Sequence, residues 1–343
     1  MRSRRTMGRG LHRRLETLTT ALLPWAVLIF LPGPVRAQSS SLGPLGTSTQ
    51  NPLYRLFYVP EAESADIVDA GDYRIELSTS YSNIFEFSQS AVHDELFDLE
   101  EMTTGLVLRW GAGPSLELGG RLGLVTTWGG FLDSFISGFH GAFGFPNGGR
   151  ELVPNGQYHL YLDDSSPPVH LRIDRRTLDP EDLRIFAKWR FSGSAAEDHA
   201  LSLRATVRRS AGPVQAGRMD GAVALLGRLS RDPFHLHLAA GATTLNAPDV
   251  LAPVVSDAAA FFTFGLEAKL GERISLVGQF VGESRYVGGF PATELSRMPV
   301  SLTFGFEGRT ASRWGWGLSF AEDVPPNSPS VDFTVDLDIS KTF

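Results

Sequence analysis

The chain of 343 residues has no cysteine, no apolar run long enough to cross a bilayer as a helix, and few basic residues once its first 37 are set aside. Without cysteine there is no disulfide framework, no thiolate-held zinc and no thiol nucleophile. Lack of any run of about 20 apolar residues excludes a polytopic helical membrane protein. Residues 1–37 hold seven of the 31 basic residues and one of the 38 acidic ones, which leaves the remainder with a net charge of −13. Phosphate binding needs a basic stripe, so no nucleic-acid partner is expected. What the chain does have is 36 glycines and 10% aromatic residues, a composition that argues against disorder.

The N-terminus has the pattern of an address. Six arginines lie between Met1 and Arg14, an apolar stretch runs from Ala21 to Leu31, and Val35-Arg36-Ala37 follows Pro32-Gly33-Pro34. A basic start, a short apolar middle and a small-x-Ala ending mark a cleaved secretory signal. Cleavage is expected after Ala37, with residues 38–72 forming a periplasmic N-terminal segment.

Beyond residue 72 the dominant signal is alternation. Val331, Phe333, Val335, Leu337, Ile339 and Phe343 fall on one face of the last segment, and Asp332, Thr334, Asp336, Asp338, Ser340 and Thr342 on the other. Side chains alternate across a strand, so this is a strand with one oily and one acidic face. The same pattern recurs at 73–82, 116–125, 183–191, 201–208 and 300–307. Alternating segments of about ten residues are the signature of transmembrane β-strands. The terminal Phe343 resembles the signal by which such strands address the barrel-assembly machinery.

Connections sort by length. Short ones fall at 111–114, 194–198, 231–233, 271–273 and 308–312; long ones fall at 88–95, 129–181, 210–219, 246–258, 285–297 and 322–330. The two kinds alternate, as tight periplasmic turns and longer outer loops do. Between them lie twelve strands: 73–87, 96–110, 115–128, 183–192, 199–209, 219–230, 234–246, 259–270, 273–285, 298–308, 313–322 and 331–343. The expected fold is all-β, a transmembrane antiparallel β-barrel of about twelve strands over 73–343, with both ends in the periplasm. The weakest strand is 219–230, where Val223 and Leu225 oppose Ala224 and Leu226.

The segment 129–181 is too long to be structureless. Phe131, Leu132, Phe135, Ile136, Phe139 and Phe143 recur at helical spacing. Glycine-rich 144–150 follows, and then two runs, 157–163 and 168–174, that predict a hairpin turning at 165–168. The reading is a helix-containing outer loop that serves as a lid or an inward-folded plug. Asn51-Pro52-Leu53-Tyr54-Arg55-Leu56-Phe57-Tyr58-Val59-Pro60, Ile84-Phe85-Glu86, and Gly129-Gly130-Phe131 through Gly148-Gly149-Arg150 resemble an uncharacterised bacterial outer-membrane family, catalogued as domain of unknown function 3187. The resemblance implies an outer-membrane location and a barrel, and carries no catalytic residues with it. Leu178-Asp179-Pro180-Glu181-Asp182-Leu183 departs from the more glycine-rich approach expected there.

Candidate ligand or plug residues are His140, Asn147 and Arg150. An arginine beside a histidine suits a carboxylate or lipid phosphate, and a histidine packed within a plug reads the same way. His235 and His237 share a strand face, as a metal pair or as wall residues; no metal and no cofactor is assigned. Asp94, Glu95, Asp98, Glu100 and Glu101 could hold a divalent cation at the rim or stay solvated. No Gly-x-Ser-x-Gly elbow is present. With oily faces turned to lipid, Arg184, Lys188, Arg190, Arg204 and Arg208 form a basic lumen wall. Glu307, Asp332, Asp336 and Asp338 form an acidic one opposite, a transverse field suited to a narrow gated channel for small solutes. A closed barrel stabilised by those charges, and a lipid-modifying enzyme, are the alternatives. Outer-membrane lipid and lipopolysaccharide are the expected surroundings.

Overall fold

Alternation of oily and polar residues gives each strand two faces that need different solvents, and closure of the sheet supplies both. The computed structural model describes residues 41–144, 148–166, 168–290, 294–323, 329, 331 and 333–343. The first strands are β1 (Tyr73–Gln89), β2 (His93–Gly113) and β3 (Leu116–Trp128), followed by helix α1 (Asp133–Phe143) and the hairpin β4 (His159–Ser165) and β5 (Pro168–Arg172). Next come β6 (Asp179–Gly193), β7 (His199–Ser210), β8 (Met219–Arg231), β9 (Phe234–Thr244) and β10 (Ala258–Lys269). The chain ends with β11 (Ile274–Glu283), β12 (Val300–Arg309), β13 (Trp314–Asp323) and β14 (Phe333–Thr342). Apart from β4 and β5, these pair antiparallel in sequence order, and β1 closes on β14 from Arg74↔Thr342 to Asn83↔Phe333. The result is a closed barrel of twelve strands. It has no free edge.

Ile75, Leu77, Leu106, Leu108, Leu183, Ile185, Val207, Phe304 and Ile339 all point outward and are exposed. A water-soluble protein does not carry an apolar band around its whole girth; a hydrocarbon surrounding stabilises one. Inward positions are polar: Ser202, Arg204, Thr206 and Arg208 of β7 are buried. At one end of the barrel the connections are short (the turn end), and at the other they are long (the loop end). One expected long loop differs, because β1 and β2 run on past the rim and meet in a tight turn where Ser90 N–H donates to His93 O at 2.7 Å. The re-entry into β6 is made by Leu178 at φ 50°, its N–H held by Thr126 Oγ1 at 3.0 Å. A leucine there occupies a region that glycine prefers.

The expected periplasmic segment is not outside the barrel. Residues 41–72 lie within the lumen as a hairpin-shaped plug. Its first limb rises from the turn end. There Ser41 Oγ and Leu42 N–H donate to Glu267 of β10 at 2.6 and 3.0 Å. Further up, Leu45 N–H donates to Gln279 Oε1 at 3.0 Å and Gln279 Nε2 returns a bond to Leu45 O at 2.8 Å. The apex is a short 3-10 turn, Tyr54–Leu56, near the loop end. The second limb descends past Asp220, which accepts Tyr58 N–H at 3.1 Å, to Gly71, whose N–H donates to Gly111 O at 2.8 Å. Gly111 has to be glycine, because a Cβ there would sit 2.0 Å from Asp69 O.

The plug also explains β8. Val223, Leu225 and Leu229 face outward, whereas Ala224 and Leu226 pack inside with Ala200, Ala239, Phe261 and the plug residue Ala65. Both faces are oily because both have an oily neighbour.

Above the apex the loop end is sealed by a hydrophobic core. Leu53, Tyr54 and Phe57 meet Ile84, Phe97 and Leu99 of the extended β1–β2 wall, Leu162 and Leu171 of the β4–β5 hairpin, and Leu251, Tyr286, Phe290 and Leu295 of two loops. Tyr54 Oη donates to Leu295 O at 2.7 Å and Tyr286 Oη to Tyr54 O at 3.1 Å. Burial first, then the Glu283 carboxylate, pushes the Tyr286 phenol well above its usual range, so it remains a donor. The β4–β5 hairpin, expected from sequence, is thus a lid. The preceding part of the long loop does not fold inward: Phe131 and Phe135 of the α1 region are exposed.

The position of the plug is directly testable because the chain has no native cysteine. Thr47 Oγ1 and Thr303 Oγ1 lie 3.4 Å apart. We expect Thr47→Cys with Thr303→Cys to form a disulfide on mild oxidation of the folded protein. A segment lying outside the barrel would leave both thiols free to a maleimide.

Candidate functional site

Charge pairing inside the lumen seats the plug. Its second limb presents Glu61, Glu63 and Asp66, and the wall formed by β2, β6, β7 and β8 presents arginines and a lysine. Glu61 pairs with Arg184, whose guanidinium also lies over the Tyr58 ring at 4.8 Å. Glu63 is the centre of the network: it meets Lys188 Nζ at 2.8 Å, and also pairs with Arg109 and Arg204. Arg228 Nε donates to Asp66 Oδ2 at 2.9 Å. Arg208 reaches Asp182 at 2.8 Å and Asp220 at 3.3 Å, and donates to Leu56 O at 2.7 Å.

Four of the five residues assigned to the basic wall, Arg184, Lys188, Arg204 and Arg208, therefore face the lumen. Arg190, opposite inward-facing Ser202, keeps the same face but lies half-buried at the turn-end rim, where it donates to Pro114 O at 2.9 Å. Glu307, Asp336 and Asp338 line lumen cavities, and Asp332 lies outside the described residues. The two walls do not neutralise each other. The basic wall is paired with the plug, Glu117 and Asp182, whereas Glu307, Asp336 and Asp338 form no ion pair among the described residues. Asp336 instead accepts from the hydroxyls of Ser80 and Ser319.

Beside the plug a crevice remains. A cavity of about 270 Å³ opens at the turn end between Asp69, Arg74, Lys188, Glu307, Arg309 and Asp338. It shares Gly46, Glu63, Glu76, Arg109 and Asp338 with a second cavity of about 80 Å³ higher up. A third, of about 40 Å³, lies under the loop end by Arg176, Ser210 and Gly212. Arg55 and Glu181 line both the second and the third. Arg55 sits on the plug apex and is ion-paired with Glu101 of β2 and Glu181 of β6. The Arg55–Glu181 pair thus lies between the upper cavities.

The other candidates are scattered. Arg150 is buried, donates to Asp133 Oδ1 at 3.1 Å and to Asn83, and lies over the Phe85 ring; it pins the long loop to β1. His140 is half-buried in the last turn of α1, and Asn147 lies outside the described residues. His235 and His237 both face inward, but His235 bonds Ser230 at 2.8 Å and His237 bonds Glu267 at 3.1 Å. The expected acidic rim is split by strand alternation: Glu95 and Glu101 face inward, Asp98 and Glu100 outward. Glu95 is taken by His93, Glu101 by Arg55, and Glu100 by the amides of Phe131 and Leu132.

Two features escape a reading of the sequence. Arg55 and Glu63 lie in a segment without periodicity, and their partners are 46 to 141 positions away. At the β6–β7 turn, Ser192 Oγ lies 3.2 Å from His199 Nε2, and His199 Nδ1 lies 3.0 Å from Asp198 Oδ1.

The chain belongs to the family described as protein of unknown function (DUF3187), which it matches over residues 23–343. No curated protein matches it by sequence. Among solved structures it is similar to the COG4313 outer membrane channel from Pseudomonas putida F1, with a TM-score of 0.52 at 10% identity, over 81% of this chain and 98% of that one. The KdgM porin matches with a TM-score of 0.41 at 6% identity, over 79% and 99% of the two chains. The toluene transporter TodX of P. putida matches with a TM-score of 0.41 at 11% identity, over 80% and 91%. The first of these likenesses speaks for the outer-membrane barrel fold alone.

Glu63→Gln should loosen the plug without breaking the barrel. Removing one partner from a buried ion pair costs about 3–5 kcal/mol. Arg109 and Lys188 keep Glu117, which places the expected loss near the lower figure. Maleimide labelling of a Thr47→Cys reporter should accelerate in this background by about two orders of magnitude. An unchanged rate would mean that the network does not hold the plug.

Proposed function

We propose that the protein is an outer-membrane channel for small polar solutes, closed by its own N-terminal plug. The turn end faces the periplasm and the loop end the exterior. One observation carries the reading: polar cavities run up the lumen from the turn end to Arg55 and resume beyond it. A barrel built only as a rigid body gains nothing from an ion-lined crevice beside its filling, since buried unpaired charge is costly. Because the basic wall is paired with the plug, the carboxyls left without an ion pair at the crevice are Glu307, Asp336 and Asp338, which outnumber Arg309 there. Such a surface favours cations over anions of equal size.

Passage requires the Arg55 contacts to break. Arg55→Ala should give discrete openings in planar bilayers where the native protein is silent. The Thr47→Cys/Thr303→Cys pair supplies the control: oxidised, the protein should stay closed, and reduction should restore the openings. In the open form, Glu307→Gln with Asp338→Asn should move the cation-to-anion permeability ratio toward unity. A refolded Arg55→Ala barrel that never conducts would sink the channel reading.

Hydrolysis is the second reading, favoured by the line of Ser192, His199 and Asp198. A triad works where its acid is buried and the imidazolium is held in a water-poor site. Here the Asp198 side chain is 68% exposed, so the three groups act as a turn lock. Ester hydrolysis that vanished in Ser192→Ala would reverse that judgement.

A further inference from the structure

We propose that α1 is an interfacial helix whose Phe131–Phe135 face lies among the acyl chains of the outer leaflet. This rests on the outer-membrane reading above and adds to it a lipid-binding element outside the barrel wall.

The side of the wall follows from strand alternation. On β1 the exposed Tyr73, Ile75 and Leu77 point outward, so Tyr81, Asn83 and Phe85 do too; on β2, Leu106 and Leu108 point outward, and so does Glu100. The segment carrying α1 is tied to these outward groups. Glu100 Oε1 accepts the N–H groups of Phe131 and Leu132 at 2.7 and 2.6 Å, and Glu100 Oε2 accepts from Tyr81 Oη. At the far end of the segment Arg150 lies over Phe85 at 4.7 Å and donates to Asn83. Gly130, at φ 79°, allows the approach, because a Cβ there would meet Glu100 at 2.3 Å. Helix α1 is therefore held against the outside of the β1–β2 wall, away from the lumen.

Its height follows from the aromatic pairs. At the turn end the Tyr73 and Trp110 rings stack at 6.1 Å, and nearer the loop end Tyr81 and Trp128 lie 5.7 Å apart. A strand rising about 3.4 Å per residue at a tilt of about 40° climbs roughly 2.6 Å per residue along the barrel axis. Eight residues from Tyr73 to Tyr81 thus cover about 21 Å, close to the ~25 Å apolar band of such barrels with its two aromatic girdles. Tyr81 belongs to the upper girdle. The Phe131 ring lies 6.4 Å from it, so α1 starts at the outer boundary of the band.

The face matches that position. Phe131, just before the helix, and Phe135, in its first turn, are 73% and 62% exposed, whereas Ile136, the next residue round the helix, is buried. The eleven residues of α1 span about 16 Å, too short to cross the band and suited to lying along it. Residues 129–143 contain no lysine or arginine, so nothing there selects an anionic headgroup; the recognised chemistry is the hydrocarbon chain. Continuity with the lipid-facing girdle favours lipid over a second copy of the chain as the occupant of this face.

The absence of native cysteine allows the test in the full-length protein. A nitroxide at Phe135→Cys, with Phe131→Cys as a second site, is compared in liposomes for collision with oxygen and with a nickel chelate. Ile185→Cys, exposed at mid-wall, and Asp198→Cys, in the turn, serve as references. The expected result is an oxygen preference several-fold above that at Asp198 and approaching that at Ile185. A nickel preference like that of Asp198 would place the helix in water and overturn the proposal. Protection from both reagents with spin–spin broadening would overturn it in favour of a second copy. If Ile185 itself favoured nickel, it would be the outer-membrane reading that failed.

Discussion

Everything inside the barrel depends on how Glu63 is surrounded. A carboxylate in a protein lumen needs compensation, and so do the lysine and two arginines that converge on it. Neither set is fully compensated alone, although Arg109 and Lys188 also have Glu117. Seating the plug satisfies both at once, which is why a segment with little regular secondary structure can occupy the middle of the molecule. The neighbouring pairs, Glu61 with Arg184 and Asp66 with Arg228, extend the same logic toward the two ends. The hydrophobic seal at the apex then adds a non-directional contribution where the polar one ends.

The division of charge has a further effect. Had the basic and acidic walls met directly, the lumen would be neutral and closed. Because the plug takes the basic wall for itself, Glu307, Asp336 and Asp338 are left without an ion pair among the described residues, Glu307 and Asp338 in a cavity they share with Arg74 and Arg309. On the channel reading proposed above, selectivity and closure would come from different parts of the chain. Changes in the plug would then alter how often the path opens, and changes on β12 and β14 what it admits.

The strands were legible in the sequence because each residue on them answers to one of two solvents. Tyr73, Ile75 and Leu77 meet hydrocarbon while Arg74, Glu76 and Ser78 meet the lumen, and that contrast is written at period two. The β4–β5 hairpin and α1 were legible for similar local reasons. The plug was not, because its partners are far away in sequence and its own pattern has no period. Arg55 in Arg55-Leu56-Phe57 looks like any surface residue until β2 and β6 bring Glu101 and Glu181 to it. Strand β8 looks weak in sequence because Val223 and Leu225 oppose the equally apolar Ala224 and Leu226, and the Ala65 limb that makes the inner face apolar lies far away along the chain. Arg190 keeps the alternation, opposite Ser202, but the strand brings it to the turn-end rim, where it bonds the turn at Pro114 instead of the plug.

Both limbs of the plug leave through the same mouth. The segment is a loop laid into the barrel rather than a thread passed through it, so no topological barrier separates filled from empty. The sheet can close first and be stoppered afterwards, and the stopper can be drawn without opening a seam between β1 and β14. Its fastenings are also arranged in series along the first limb, at Glu267, Gln279 and Thr303 in turn. A tug on the residue 41 end loads these one after another, as a zip is loaded, whereas pressure from the opposite mouth meets the apex and all its neighbours together. On the channel reading such a closure would be mechanically one-way, weak to traction from one side of the wall and strong to push from the other.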